Sequence, residues 1–351
     1  MFRKEKSVVG LDLGSQVVKA VEITLEGPEP VITGFARAEI PPGGEMHEAI
    51  AEVFQRGSFR SRNVVTAVSG QSVVVRYITM VEMSDTELRQ AIRFESDKYL
   101  PFDAEDVVLD CQRLGRKPAG ATETEGGGSD QMSVVLAACR SSVVEDQIKA
   151  ISVQGLSPLA VDVDVFALAN AWELCGLEDA PLDDEEEEHT VALVDVGASR
   201  TSINVICDNE TCFSREIGIG GGDMTQAAAR RLGVEAVEAE AIKREAAGRE
   251  AEVSRAISPV LEDLVSEISL SLDYVENREG LRVDEVLLSG GGILAPGAVS
   301  FIEQSLGRPV RTWNPLEGLR VMPERVDVEE LEASASSLAV AIGLASRVRA
   351  A

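Results

Sequence analysis

The chain has 351 residues, of which 44% are hydrophobic, 26% charged and 4% aromatic; that balance describes a folded protein of about two domains with a core of Val, Leu, Ile and Ala. Its formal net charge of −27 repels phosphate backbones and anionic lipid, so neither nucleic acid nor direct membrane insertion is expected. Two histidines, His47 and His189, and five cysteines (Cys111, Cys139, Cys175, Cys207, Cys212) without a C-x-x-C pair exclude His-based triads and His-rich metal centres, and predict reduced, buried thiols.

The N-terminus, MFRKEKSVVG, enters a strand without a signal-peptide h-region, and no window reaches the roughly 20 apolar residues of a membrane helix; a cytoplasmic protein is expected. Residues 7–14, 17–26 and 31–39 are predicted strands, 43–55 a helix, and 63–69 and 73–80 two further strands. They make a first-domain core over 1–82. Ser84 and Asp85 then cap a helix carrying Leu88, Ile92, Glu95 and Tyr99, which Pro101 ends. Residues 105–114 and 131–140 read as a hairpin joined by a Gly-rich stretch, and 142–154 as a second helix. This package, 83–155, is predicted as a small α+β insertion. Strand and helix resume over 156–182, and the acidic run 183–189 reads as a solvated linker.

A second domain opens with strands at 190–196, 201–208 and 211–217, and Gly220, Gly221 and Gly222 lead into a helix ending at Leu232. Its core is placed at 190–232. Residues 233–282 are predicted as a helical subdomain interrupted near Gly248 and at Pro259. Residues 283–335 return to the core, and 336–351 form a final interdomain helix. Hairpin, third strand and helix occur twice, so the expected architecture is α/β, two related domains facing each other across a cleft.

Each repeat carries Asp-x-Gly between its first two strands: Asp12-Leu13-Gly14-Ser15 and Asp195-Val196-Gly197-Ala198-Ser199. Glycine lets backbone amides approach a phosphate without a Cβ clash, and Ser15, Ser199 and Thr201 offer hydroxyls. Lys19, further along the first hairpin, is placed to reach phosphates. Mg²⁺ takes few carboxylates and keeps its waters, so Asp12 and Asp195 are expected to flank one metal. A single Asp-Gly turn is an ordinary β-turn. Two of them, one per domain, predict a phosphate tail pinched from both sides. Gly290, Gly291 and Gly292 follow a strand and precede a helix, presenting amides and a flat face to an α-phosphate or an adenine. Helix–strand packing explains such glycines equally well, and the same two readings apply to Gly221 and Gly222. Glu240 and Lys243 share a helix face, as ribose ligands or as a surface ion pair.

GLDLGSQVVKAVEI, LVDVGASRTSINVI and VLLSGGGILAPGAV resemble the two phosphate segments and the adenosine segment of the actin-like ATPase superfamily. FESDKYLPFDAEDVVLDCQRLG, EIGIGGGDMTQAAARRLG and AEAIKRE, in that order, resemble the PilM family of type IV pilus assembly, related to FtsA, and the likeness covers nearly the whole chain. The resemblance implies an actin-like fold of two ribonuclease-H-like domains, a subdomain inserted in the first, and ATP with Mg²⁺ in the cleft. It implies phosphate and metal contacts from Asp12, Gly14, Ser15 and Lys19, and an opposite jaw of Asp195, Gly197, Ser199 and Thr201. Glu240 and Lys243 would lie at the ribose, and Gly290 to Gly292 at the adenine.

The same resemblance implies partners: the cytoplasmic N-terminal tail of inner-membrane PilN, held between the first domain and its insert; PilO and PilP indirectly; the pilus motor ATPases; and further copies of the chain. The protein would then be a cytoplasmic scaffold, peripheral at the inner membrane. In the superfamily's enzymes a Gln or Glu at the start of the interdomain helix orients the attacking water. Here the stretch reads VDVDVFALANAW, with Asp164 the nearest candidate for a catalytic role and Asp162 the second. Asp is shorter, which weakens that positioning, and either residue could instead cap the helix; slow or absent hydrolysis is expected.

Two other readings share the fold. A small-molecule kinase needs a second substrate pocket with its own general base, and the first domain shows no convincing one. An FtsA-like filament protein continues into an amphipathic membrane helix, whereas this chain ends at ASRVRAA, so recruitment by a protein partner is expected.

Overall fold

The computed structural model describes residues 6–115, 131–175, 189–207 and 209–349; the Gly-rich join and most of the acidic run lie outside the described residues. Apolar and β-branched runs form β1 (Ser7–Leu13), β2 (Val17–Glu26) and β3 (Glu29–Glu39), an antiparallel meander that pairs Asp12 with Lys19. Helix α1 (Met46–Arg56) buries Ala49, Ile50 and Val53, and β4 (Asn63–Val68) returns parallel to β1. Then come β5 (Val73–Val81), α2 (Asp85–Glu95), β6 (Val107–Arg113), β7 (Gln131–Arg140) and α3 (Ser141–Ser152). β8 (Ser157–Val163) lies parallel to β4, and α4 (Asp164–Cys175) follows it.

In the second half β9 (Thr190–Val196), β10 (Thr201–Cys207) and β11 (Glu210–Ile217) repeat the meander. They are followed by α5 (Gly221–Leu232), α6 (Ala236–Arg244), α7 (Glu250–Glu279), β12 (Glu285–Ser289), α8 (Ala298–Leu306) and β13 (Val310–Thr312). β14 (Arg320–Val321), α9 (Val328–Ser334) and α10 (Ala339–Ala345) complete the fold.

The two large sheets share one plan. The first runs β14-β3-β2-β1-β4-β8 and the second β11-β10-β9-β12-β13. In each, a three-stranded antiparallel meander is followed by two parallel strands. This is the ribonuclease-H-like order, twice. Even the irregularities correspond: the registers slip at Glu22/Ile23 and at Val205/Ile206, at the same offset from Asp12 and Asp195.

Helices α4, α9 and α10 lie in a core shared by both sheets, with Val8, Ile32 and Val65 from the first and Leu193, Ile206 and Leu287 from the second. Trp172 and Trp313 meet there edge to face with ring centroids 6.0 Å apart, a contact worth roughly 1 kcal/mol beyond its burial. A separate core under α1 and α3 backs the first sheet, and one under α5, α7 and α8 backs the second.

Three elements differ from the sequence reading. β5 pairs with β7, and β7 with β6, in a separate three-stranded sheet whose core includes Leu88 and Ile92 of α2. It therefore belongs to the inserted layer and not to the first-domain sheet; a β-branched run signals a strand but not its neighbour. Helix α7 runs unbroken through Pro259, because Val253, Ala256, Ile257, Leu261 and Leu264 are buried on both sides of it. The last segment is not one helix: tight 3₁₀ turns at Ala335–Ser337 and Ser346–Arg349 flank α10. None of the five cysteines is in a disulfide, and four of them are buried. Among the described residues no single helix is long and apolar enough to cross a membrane.

Candidate functional site

The duplicated turns line one cavity of about 430 Å³, a size typical of small-ligand sites. Asp12, Gly14, Ser15 and Lys19 line it from the first domain, and Asp195, Gly197, Ser199 and Gly221 from the second. Asp164, Glu240, Lys243, Gly290, Gly291 and Gly292 also line it.

Two expected residues do not. Thr201 is fully buried and its hydroxyl donates to the Ile219 carbonyl at 2.8 Å. Gly222 donates its N–H to the Ala198 carbonyl at 2.7 Å, and Gly221 to the Gly197 carbonyl at 2.9 Å. Gly221 and Gly222 form the first turn of α5, so these amides fasten the helix to the second Asp-x-Gly turn and leave nothing for a phosphate. The Gly197 and Gly290 amides are likewise taken, by the Arg200 carbonyl at 2.9 Å and the Ser336 carbonyl at 2.6 Å. Among the described residues, no backbone carbonyl takes the amides of Ser15, Ala198 or Ser199. Among the described residues the amides of Gly14, Gly291 and Gly292 are equally untaken by backbone carbonyls, so the donors facing the cavity come from these glycines as well as from the serines and Ala198.

The glycines also serve approach. A Cβ on Gly14 would lie 2.6 Å from the Val17 carbonyl oxygen, and one on Gly290, whose φ is +94°, would strike the Val196 backbone. A Cβ on Gly291 would meet nothing within 4 Å. Gly291 therefore exposes bare backbone to the cavity.

Charge is unevenly balanced. Lys19 Nζ sits 2.5 Å from Asp12 Oδ2 and donates to the Ser337 carbonyl at 3.1 Å. Desolvation would lower its pKa, but Asp12, then Asp195 and Asp164, raise it overall. Asp195 accepts from Ser289 Oγ at 2.8 Å, yet desolvation pushes its carboxyl up despite Lys19. Asp164 is pushed up to about 7, first by desolvation and then by Asp12, with a Ser69 hydrogen bond opposing. Three carboxylates, those of Asp12, Asp164 and Asp195, thus converge on the Lys19 ammonium, while the other cations lining the cavity pair with Glu39, Glu216 and Glu240. A divalent cation would offset that excess, and Mg²⁺ needs only one or two protein carboxylates. Asp12 and Asp195 fit that role. Among the described residues no cluster of three or more Asp, Glu, His or Cys forms a closed metal cage.

Asp162 stays outside the cavity: its Oδ2 accepts from Arg347 at 2.5 Å and from Asn170 at 3.3 Å. Of the two carboxylates at the head of α4, only Asp164 faces the site. Lys243 is no surface partner. It is buried, and its Nζ donates to Gly221 O at 2.8 Å and Thr225 Oγ1 at 2.7 Å and meets Glu240 Oε2 at 2.7 Å. An ammonium has three N–H groups, so Lys243 has none left for a ribose. Glu240 Oε1 accepts from Arg244 Nε at 2.8 Å and keeps a lone pair for a ribose hydroxyl. Its carboxyl is lowered: desolvation opposes, and the Lys243, Thr225 and Arg244 contacts prevail. Sequence reasoning missed Ser69, Arg200 and Arg244, which also line the cavity. Arg200 follows Ser199 directly, so its place in the motif was a usable signal.

Two ribonuclease-H-like domains, joined through shared helices and closing on a cleft of glycines and carboxylates, define the actin-like class. A family model described as "Type IV pilus assembly protein PilM" matches residues 10–349. The solved structure titled "PilM-PilN type IV pilus biogenesis complex" is 30% identical over 97% of this chain and 98% of that one, with a TM-score of 0.82. Ethanolamine utilization protein EutJ from Carboxydothermus hydrogenoformans shares the fold at 15% identity, covering 98% of this chain and 90% of its own, with a TM-score of 0.54. This chain belongs to the PilM family of type IV pilus assembly proteins.

Proposed function

We propose that the protein binds Mg-ATP in this cleft and that the bound nucleotide holds the two domains in the arrangement that receives the cytoplasmic tail of PilN. The observation that carries this reading is the pair of facing turns: Asp12 and Asp195 from duplicated hairpins, one ammonium between three carboxylates, and free amides at Ser15, Ala198 and Ser199. Mg²⁺, held through Asp12 and Asp195, would offset the carboxylate charge and supply positive charge to the phosphates. Ser15 and Ser199 would orient the phosphates, Glu240 the ribose, and Gly291 would lie against the base.

Turnover is slow in this account. Burial pushes the Asp164 carboxyl up to about 7, which suits a general base near neutral pH, but it is one methylene shorter than the Glu or Gln it would replace. The protein works as a scaffold: through PilN it joins PilO and PilP, and it connects that inner-membrane complex to the pilus motor from the cytoplasmic side. Val81, Phe94, Val108, Ile148, Val153 and Leu159 stay exposed along the inserted layer and the edge strand β8. That surface suits an apolar tail segment, and the relative named above was solved as a complex with PilN.

A ligand can shift two arrangements only by binding one of them better. Tail-peptide affinity measured with and without Mg-ATP tests the reading. Mg-ATP is expected to tighten binding several-fold. Equal affinities would contradict it.

A further inference from the structure

Among the described residues five cations line the cavity: Lys19, Arg37, Arg200, Lys243 and Arg244. Three are held closely. Lys19 lies 2.5 Å from Asp12, Lys243 lies 2.7 Å from Glu240, and Arg244 lies 2.5 Å from Glu39 and 2.8 Å from Glu240. Arg37, 3.5 Å from Glu39, is on β3, two strands out from Asp12. Arg200 is different. It sits in the second turn itself, beside Ser199, and its NH1 reaches Glu216 Oε1 at 3.2 Å, a long contact for a charge-assisted hydrogen bond.

Glu216 has a second task. Its Oε2 accepts the N–H of Gly70 at 3.1 Å. Gly70 adopts φ +90°, and a Cβ there would collide with the Arg200 guanidinium. Arg200, Glu216 and Gly70 therefore form a clasp from the second domain to the turn after β4. Ser69, the neighbour of Gly70, lines the cavity together with Asp164. The clasp thus lies beside Ser69, at the Asp164 side of the cavity.

We propose that Arg200 is a ligand for the terminal phosphate of a nucleoside triphosphate and makes the cleft prefer triphosphate to diphosphate. The inference rests on the nucleotide reading above. In the structure the guanidinium rests on Glu216. A terminal phosphate presents two oxygens to its planar fork and competes with one long contact to a carboxylate. A diphosphate ends one phosphate short and leaves Arg200 parked. The exchange also reaches the insertion, because the Gly70 turn leads directly into β5. There the Tyr77 hydroxyl hydrogen-bonds Ser214 Oγ on β11 at 2.6 Å, two residues before Glu216.

The test is equilibrium binding of Mg-ATP and Mg-ADP to the full chain, in wild type, Arg200→Ala, Arg200→Lys, Glu216→Gln and Arg37→Ala. Arg200→Ala is expected to weaken Mg-ATP about tenfold or more, the loss of a charge-assisted contact, and to leave Mg-ADP nearly unchanged. Arg200→Lys should fall between. Glu216→Gln, which frees the guanidinium, should tighten Mg-ATP, and Arg37→Ala should not alter the ATP-to-ADP ratio. Equal losses for both nucleotides in Arg200→Ala, or no loss, overturn the proposal while the cleft reading stands. If wild type binds neither nucleotide, the cleft reading falls and takes this inference with it. The Glu216→Gln arm keeps the test decisive should Arg200→Ala fold poorly.

Discussion

A carboxyl enclosed by protein and by other carboxylates is penalised whenever it is charged. Asp164 has that environment, and its pKa rises from 3.8 to about 7. The fold therefore favours the protonated form. The contribution is intact below the unfolded value of 3.8 and is lost as pH climbs to about 7, where the unfolded chain has already released its proton. Asp164→Asn mimics the neutral form at every pH. Without nucleotide, the variant and wild type should melt together near pH 4 and diverge by several degrees, the variant higher, by pH 8. Asp195 shifts in the same direction, so the difference between the two melting curves is the quantity to read. Parallel curves from pH 4 to 8 would show that Asp164 is solvated like a surface carboxylate.

At the scale of elements, α10 and α4 touch through backbone. A Cβ on Gly343 would strike the Ala167 carbonyl, and one on Gly10 of β1 would strike the Ala341 carbonyl of α10. No small side-chain shift relieves a clash with backbone in a core this close-packed. Gly343→Ala is therefore expected to cost about 3 kcal/mol or more, measured as a lowered urea midpoint at unchanged slope. A change below about 0.5 kcal/mol would mean the helices stand further apart than described. Pro259 predicts the opposite sign. It is exposed in the interior of α7 and cannot donate to the turn before it. Pro259→Ala restores a donor and loses no packing, so a gain of about 1–3 kcal/mol is expected.

These elements also show what could be read in the chain. The Asp-x-Gly hairpins were legible because turn chemistry and strand alternation are local, and their repetition carried the two-domain plan. Pro259 misled because a local rule predicts a break, while apolar residues before and after it bury on one core. β5 was legible as a strand but not as a member of the inserted sheet, since its partner β7 lies some 50 residues on. Gly221 and Gly222 were legible as functional glycines. Their amides turned out to hold α5 on the second turn, a pairing no local pattern shows.

At the scale of the whole molecule, the site exists only where the two halves face each other. Arg200, Glu216 and Gly70 join residues 146 positions apart in sequence, and Asn204 of β10 donates to the Val165 carbonyl of α4 at 2.7 Å. Such crossings are beyond sequence periodicity, yet they tie the cleft to the inserted layer and to the interdomain helix. A ligand that spans the cleft should therefore stabilise both halves as one unit. The most direct measurement is the thermal stability of the full chain with and without Mg-ATP, in wild type, Asp12→Ala and Asp195→Ala. At 100 times its dissociation constant, Mg-ATP should add roughly 2.7 kcal/mol to the wild type, and each variant should lose most of that gain. An unshifted wild type, or variants that shift as far as it does, would contradict a nucleotide held between Asp12 and Asp195.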